Sequence, residues 1–588
     1  MWWLFALLHR KMCRQYAGNV FYQGRKNEGG CMKTSAIITL FFAIIILVGA
    51  IYCKIRGKKQ EDWKTNQTVD FIIFCALLFV GFAIRVWQFG MIPDGMNQDG
   101  AMAAVDAKAL ADHGTDRYGM YMPVHFTAWG YGQMSVLLSY MMVPFIKVFG
   151  LNAVTARMPM LIVSILGIVA IYFVVKRIGG IRMAQIAMLI TALNPWHFMQ
   201  SRWALDCNVF PHMLLFGILF LLLGLEKRRY LYISMIFFAL CMYSYGISFY
   251  TVPLFLLFVC IWFLAKKWIK IKDALISVGV YVLISWPIYL TMIINTFKLK
   301  TIKTPFFTMA YFKDSVRSQD ILFFADDKVT QLKANVKALI NVLLQKDDLP
   351  WNTVTGFGTM FLFMMPFVVA GIVLGVLEYR KTENEVKKAA LLCVYAALGT
   401  ALWAGVITAT VNVNRVNIIF YPMIVFAAMG VFFVYERRKA FGAVVAALYL
   451  ILSFGFLNTY FTTYKDTLAT QFFAGFMDSL DDIKDSKCTV YCITPDSQYS
   501  GSWNVSEILT LFEHNIDAKF YQGKTKENGY TYSQKYFYYN ASQLQLDASQ
   551  PIAYVISNAD LSLFSETQWK IETHGNFSAV IPLSYVKK

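Results

Sequence analysis

Asp94, Asp99, Asp106, Asp112 and Asp116 crowd a short run directly after a 21-residue apolar segment, 70–90. Carboxylates held where a membrane meets water are costly to place and mark functional sites. A second set follows a later apolar run: Asn194-Pro195-Trp196-His197, then Gln200-Ser201-Arg202-Trp203-Ala204-Leu205-Asp206. A carboxylate beside an arginine at such a boundary suits a reaction of a phosphorylated lipid. The guanidinium grips and neutralises a phosphate through paired N–H groups. The carboxylate takes a proton from an attacking hydroxyl or amine, or helps hold a divalent ion. No CxxC or Cys/His cluster, no phosphate-binding GxxxxGK[ST] loop and no GxSxG elbow offers competing chemistry.

The elements that must position these residues are membrane helices. Of 588 residues 57% are apolar and 15% charged, against about 25% charged in soluble domains. Apolar runs long enough to cross the bilayer as helix fall at about 70–90, 157–175, 182–199, 207–225, 230–247, 249–265, 273–295, 359–379, 389–411, 414–435 and 440–458. The basic residues behind the net charge of +18 gather in short loops between these runs, including Lys54–Arg56–Lys58–Lys59 near the start and Arg437–Arg438–Lys439 near the end. That is the positive-inside pattern of cytoplasmic loops, and it leaves no basic, aromatic-laced face for nucleic acid. All the basic loops share one side only if 131–150 does not cross, so that segment is expected to lie along the outer surface. The outer face then receives 91–156, the 201–206 turn, 296–358 and the polar tail. Residues 33–53 would add one N-terminal helix.

The chain therefore divides into 1–69, an N-terminal tail with one transmembrane helix; 70–459, a transmembrane catalytic domain with outer loops 91–156 and 296–358; and 460–588, an extracytoplasmic α/β domain. In the tail, 488–494, 518–522, 552–556 and 569–573 read as strands and 505–514 as a helix. The fold class is an all-α polytopic membrane protein of about 11–13 transmembrane helices with that small C-terminal domain.

The segment from Asn97-Gln98-Asp99 to Phe149-Gly150-Leu151-Asn152 and Arg157 resembles the glycosyltransferase C superfamily, in its family 39-like branch of protein O-mannosyltransferases and lipid A aminoarabinose transferases. The Ser201-Arg202-Trp203-Ala204-Leu205-Asp206 turn, Leu349-Pro350-Trp351-Asn352 and Asn414-Arg415-Val416-Asn417 extend the resemblance. It implies a C-type membrane fold and transfer of a sugar from a polyprenyl-phosphate donor to a lipid, protein or wall-polymer acceptor at the outer face of the cytoplasmic membrane. It places Asp99 as the catalytic base, with Asp206 as the second acid. Arg202, Arg415 and His125 become candidate contacts for the lipid phosphate. A divalent cation, Mg or Mn, is the possible cofactor. Gly100 departs from the pattern, because a glutamate usually follows the aspartate there.

Other readings stand beside these. Asp99 would serve as an N-cap for the helix that follows, Asp94 and Asp116 as turn residues, His125 as a structural histidine, and Trp129, Trp196 and Trp203 as an interfacial belt. A transporter of lipid-linked substrates would place ionisable groups at mid-span, and Gly100 keeps open an inactive homologue with a scaffolding role.

Overall fold

A computed structural model describes residues 24–56, 66–129, 132–313, 321–346, 349–494 and 503–587. Lys58 and Lys59 of the first basic cluster lie outside the described residues. The chain opens with α1 (Gly24–Ile55) and α2 (Gln67–Val86), which Asn66 caps by accepting from Thr68 and Val69 N–H. Then come α3 (Gln98–His113), the hairpin β1 (Phe126–Thr127) and β2 (Gln133–Met134), and α4 (Leu137–Phe149). The membrane part continues through α5 (Ala153–Leu193), α6 (Pro195–Gln200), α7 (Asp206–Glu226), α8 (Arg229–Cys241), α9 (Ser248–Ala265) and α10 (Ile271–Thr296). The hairpin β3 (Ile302–Lys303) and β4 (Thr308–Met309) and the helix α11 (Lys328–Leu343) precede α12 (Met365–Lys381), α13 (Glu385–Ile407), α14 (Phe420–Arg437) and α15 (Lys439–Phe461).

Ten helices among the described residues are long and apolar enough to cross a membrane. One of them, the 41-residue α5, breaks at Gly179 and Gly180, where φ reaches +77°, so it supplies two crossings. Such a turn suits glycine, which has no Cβ to clash at positive φ. The short apolar α8 occupies the place of the expected run 230–247. Within the segment expected to lie along the surface, α4 has 13 residues, contains Pro144 and packs on α3 and α5; 13 residues rise only about 20 Å.

Residue types explain which helices sit inside. In α14 nearly every side chain is apolar and buried, so it forms the centre of the bundle against α5 and α12. Gly371 and Gly430 let α12 and α14 touch backbone to backbone: a Cβ at Gly371 would lie 1.8 Å from the Phe426 carbonyl. Small residues at such crossings are how membrane helices pack closely. By contrast α1, α2, α9, α10 and α15 expose apolar faces to the surroundings.

The tail begins with α16 (Tyr464–Gln471) and α17 (Ala474–Lys484). Five strands follow, β5 (Val490–Ile493), β6 (Tyr536–Tyr538), β7 (Ile552–Ser557), β8 (Trp569–His574) and β9 (Phe577–Pro582), in the order β6-β5-β7-β9-β8. β5 runs parallel to β6 and β7, with Tyr491 opposite Tyr536 and Ala553; β9 is antiparallel to β7 and β8. One face is covered by α17 and α18 (Trp503–Glu513), and Cys492, Tyr554, Phe564 and Trp569 cluster on the other. The expected strand at 518–522 is instead the helix α19 (Ala518–Tyr521). Its cause is local: the Asp517 carboxylate accepts from Lys519 and Phe520 N–H, which commits the next residues to a helical turn.

Candidate active site

The three polar pieces meet on one end of the bundle. Thr308 of the 296–358 loop exchanges backbone hydrogen bonds with Met122 and Val124 of the first loop. The tail reaches the same loop through Gln522, whose Nε2 donates to the Arg117 carbonyl, 3.0 Å. At Gly95, φ +76°, an added Cβ would lie 2.2 Å from the Phe472 carbonyl, so a side chain there would push the tail off.

Asn97 caps α3: its side-chain oxygen accepts from Gly100 N–H at 3.1 Å. Asp99 is therefore relieved of capping and stands in the first turn, where unpaired N–H groups and the helix dipole favour a negative charge. It is half-buried, and the Trp129 indole N–H donates to its Oδ1 at 2.7 Å. Trp129 thus orients a carboxylate and is not simply part of an interfacial belt. No signal in the spacing of Asp99 and Trp129 announced that pairing.

The other four acids of the run are occupied. Asp106 is fully buried and receives the Arg117 backbone N–H at 3.0 Å and its guanidinium at 2.5 Å, while Arg117 also donates to the Thr127 carbonyl. Asp116 accepts from Tyr118 and Met120 N–H in a turn. Asp94 accepts from Gly95 N–H, and Asp112 pairs with Lys108 one turn away.

The second constellation arrives beside Asp99. Asp206 opens α7, is 8% exposed and accepts from Cys207 N–H at 2.6 Å. Both Asp206 and Asp99 lie close enough to the Cys207 thiol to act on it electrostatically. Gly100 explains the proximity. A Cβ there would lie 2.8 Å from the Ala204 carbonyl and 2.6 Å from Asn97 Oδ1. The 201–206 turn packs on the first turn of α3 because residue 100 has no side chain, and a glutamate has no room in this arrangement.

Arg202 is fully buried, and all five of its N–H groups are engaged: Nε with the Ile92 carbonyl, Nη1 with Ile84 and Arg85, Nη2 with Gln88 and Ile92. Arg157, equally buried, donates to the carbonyls of Gly90, Pro93 and Gly95. Together they tie down the 84–95 backbone that leads from α2 into the Asp99 turn. With every donor on a carbonyl, this arrangement favours a scaffold role for Arg202 over the expected phosphate contact. Arg202→Gln should accordingly act on stability. Stripping donors from buried carbonyls should cost about 1–3 kcal/mol for each one left unsatisfied, read as a lower melting temperature, whereas a phosphate contact would raise donor KM in a protein of normal stability.

His125 is also redirected. It is buried, its Nδ1 meets Gln133 Oε1 at 2.8 Å across the β1–β2 hairpin, and its ring stacks on Phe249. Burial lowers its pKa, with Gln133 opposing only in part, which disfavours a charged contact with a phosphate. Arg415 keeps a place at the site: half-buried, it donates to the Ala409 carbonyl and has a further partner. Two residues on, Asn417 donates from Nδ2 to the Cys207 carbonyl at 2.7 Å, which pins this segment to the Asp206 turn.

Behind the site runs a buried chain that was not foreseen in the sequence: Arg85 Nη2 to His197 Nδ1 (2.8 Å), His197 Nε2 to Tyr421 Oη (2.9 Å), Tyr421 Oη to His212 Nδ1 (2.8 Å). It joins α2, α6, α14 and α7, and Gly167 of α5 makes the space, since a Cβ there would meet Tyr421 Oη at 2.2 Å.

A group able to hold a metal among the described residues is Asp112, His113 and Asp517, with ligand atoms within 4.8 Å of one another. It sits at the far end of α3, 13 residues from Asp99, about 20 Å at 1.5 Å per residue. Its members already have partners, His113 on Asp517 at 2.7 Å and Lys108 on Asp112. Through the His113–Asp517 contact it fastens the tail to α3.

With this geometry in place, the comparisons become informative. Residues 134–307 match the family model described as dolichyl-phosphate-mannose-protein mannosyltransferase. The match begins after Asp99 and Trp129 and includes Arg202 and Asp206. The fold is similar to ArnT from Cupriavidus metallidurans in the apo state, at 11% identity and TM-score 0.50 over 87% of this chain and 98% of that one. For the same protein bound to undecaprenyl phosphate the values are 12%, 0.51, 88% and 98%. The fold is that of the C-type glycosyltransferases. The archaeal oligosaccharyltransferase AglB from Archaeoglobus fulgidus matches more loosely, at 15% identity and TM-score 0.46 over 75% of this chain and 63% of that one. No curated protein matches the sequence. The resemblance to the glycosyltransferase C superfamily is thereby borne out, and with it the enzyme class, glycosyltransferase, of a multi-pass membrane protein.

Proposed function

We propose that this glycosyltransferase moves a sugar from a polyprenyl-phosphate donor to an acceptor hydroxyl or amine at the outer face of the cytoplasmic membrane, with Asp99 as base. The observation that carries the reading is the half-buried Asp99 carboxylate at the start of α3, aimed by Trp129 and facing the Asp206 turn. The acceptor oxygen or nitrogen attacks the anomeric carbon as its proton passes to Asp99. The carbon–oxygen bond to the phosphate breaks, and that electron pair leaves with the lipid phosphate. Displacement from the opposite side inverts the anomeric centre.

Arg415 is assigned to the leaving phosphate, a reading supported by the tie of its segment to the Asp206 turn through Asn417, and Arg202 to a scaffold role for the Asp99 turn. Undecaprenyl phosphate bound to ArnT, which shares this fold, supports a polyprenyl-phosphate carrier here. The tail, packed on α3 through α18, is assigned to the outer side as an acceptor-positioning cap, and the division at 69/70 and 459/460 follows.

The donor class is tested by incubating the purified protein with a labelled polyprenyl-phosphate sugar or the matching nucleotide sugar. Consumption of the lipid-linked donor alone is expected; use of the nucleotide sugar alone would sink the proposal. A transporter of lipid-linked substrates is the second reading, and the intramembrane chain Arg85–His197–Tyr421–His212 is what speaks for it. Acceptor-free reorientation of the labelled donor across vesicles would favour transport.

A further inference from the structure

The helix α11 leaves a polar loop with an apolar stripe uncovered. Val329, Leu332, Val336 and Ile340 recur at spacings of three and four residues, hence on one helical face, and are 62%, 39%, 38% and 47% exposed. A neighbouring face is buried: Asn335 Nδ2 donates to the Val406 carbonyl at 2.8 Å, and the Leu339 methyls sit where a Cβ on Gly405 would be. Gly405 and Val406 belong to the last turn of α13, a membrane-spanning helix ending at Ile407. This anchorage sets the depth of α11 at the edge of the hydrocarbon.

Charge is arranged to match. Lys333 and Lys337 are exposed and follow Leu332 and Val336 by one residue, about 100° round the helix, on the side of the stripe away from the α13 contact. The helix carries three lysines, with Lys328, and no acidic residue. Just before it, Phe323 and Phe324 are 57% and 63% exposed, and Phe323 lies 6.0 Å from the ring of Trp403 on α13. Aromatic rings gather at the interfacial level of membranes. A water-facing helix would gain nothing from this order of anchored face, apolar stripe, lysines.

We infer that α11 lies in the headgroup layer beside the active-site loop, with its Val329–Leu332–Val336–Ile340 stripe in the acyl boundary and Lys333 and Lys337 bound to anionic phospholipid. An amphipathic helix with lysines beside its apolar face binds by buried area plus attraction to anionic lipid. The occupant is the bilayer itself, chosen over a protein partner because Asn335 and Leu339 hold α11 against the last turn of a membrane-spanning helix, beside the exposed rings of Phe323 and Trp403. This rests on the membrane fold and not on the assignment of Asp99.

The test uses the full-length protein in phosphatidylcholine vesicles with and without phosphatidylglycerol. Single variants Val336→Cys, on the stripe, and Ala334→Cys, on the exposed polar side, react with a water-soluble maleimide, and labelling is read peptide by peptide so that native cysteines do not interfere. In lipid, the thiol introduced by Val336→Cys should label roughly ten-fold more slowly than the one introduced by Ala334→Cys. Phosphatidylglycerol should widen the gap, and Lys333→Gln with Lys337→Gln should remove that increment. Equal rates at the two positions would overturn the membrane contact and leave the stripe to a protein partner. Slow labelling indifferent to phosphatidylglycerol would overturn the lysine–headgroup contact.

Discussion

Asp99→Asn should lower sugar transfer by about 10²- to 10⁴-fold, the span that general-base catalysis contributes, with the fold intact. The carboxamide keeps the size of the carboxylate, and its oxygen can still accept the Trp129 N–H that now reaches Asp99 at 2.7 Å. What it loses is the capacity to take a proton. The measurement is initial-rate transfer from the labelled lipid donor beside a melting curve of the same preparation. Trp129→Phe, which keeps the base and removes its orienting hydrogen bond, should give a smaller loss. A hydrogen bond to a charged group is worth about 1.5–3 kcal/mol, so roughly ten-fold or somewhat more is expected. Wild-type turnover in a well-folded Asp99→Asn protein would move the base to Asp206.

Gly100→Glu, which supplies the glutamate that the family resemblance leads one to expect there, should abolish activity instead of raising it. The obstacle is backbone: a Cβ at residue 100 would lie 2.8 Å from the Ala204 carbonyl, and 2.6 Å from the Asn97 oxygen that caps α3. The Ala204 carbonyl is backbone, and the Asn97 oxygen, though a side-chain atom, is held in place by the cap it makes. Relief must come from moving the 201–206 turn, and Asp206 with it, away from Asp99. Gly100→Ala already meets the same atoms; overpacking of this kind costs about 1–3 kcal/mol, so it should lose activity and melt earlier. The glutamate adds a charge with no partner in a closed space. Transfer assays and melting curves of the pair give the answer. A gain of activity in Gly100→Glu would show that the turn opens readily and that the glycine is a loss, not a fit.

These two results bear on what kind of information a sequence holds. Crossing helices are legible because each depends only on its own residues: about 20 apolar positions suffice to bury a backbone in hydrocarbon. The exclusion of 131–150 from the membrane followed from loop charge alone, and α4 agrees. The tail shows the limit. Residues 518–522 have the apolar content of a strand, but the Asp517 side chain turns them into a helix. A carboxylate one residue upstream outweighed a weak β preference, which depends on neighbours more than on the chain itself.

The sequence by itself determined that this is a polytopic membrane protein whose motifs resemble the C-type glycosyltransferases, and it grouped Asp99 with Asp206. It did so through periodicity, charge and local motif, all of which are properties of short segments. Only the tertiary structure decided what each polar residue does. Arg202 looked like a phosphate ligand and holds the carbonyls of 84–95; His125 looked like a phosphate contact or a structural histidine and pairs with Gln133; Trp129 looked like interface and orients Asp99. The physical reason is that hydrogen bonds are short and directional. Which donor finds which acceptor depends on chain segments tens to hundreds of residues apart being brought to within about 3 Å, and in this molecule one missing side chain at Gly100 permits that approach.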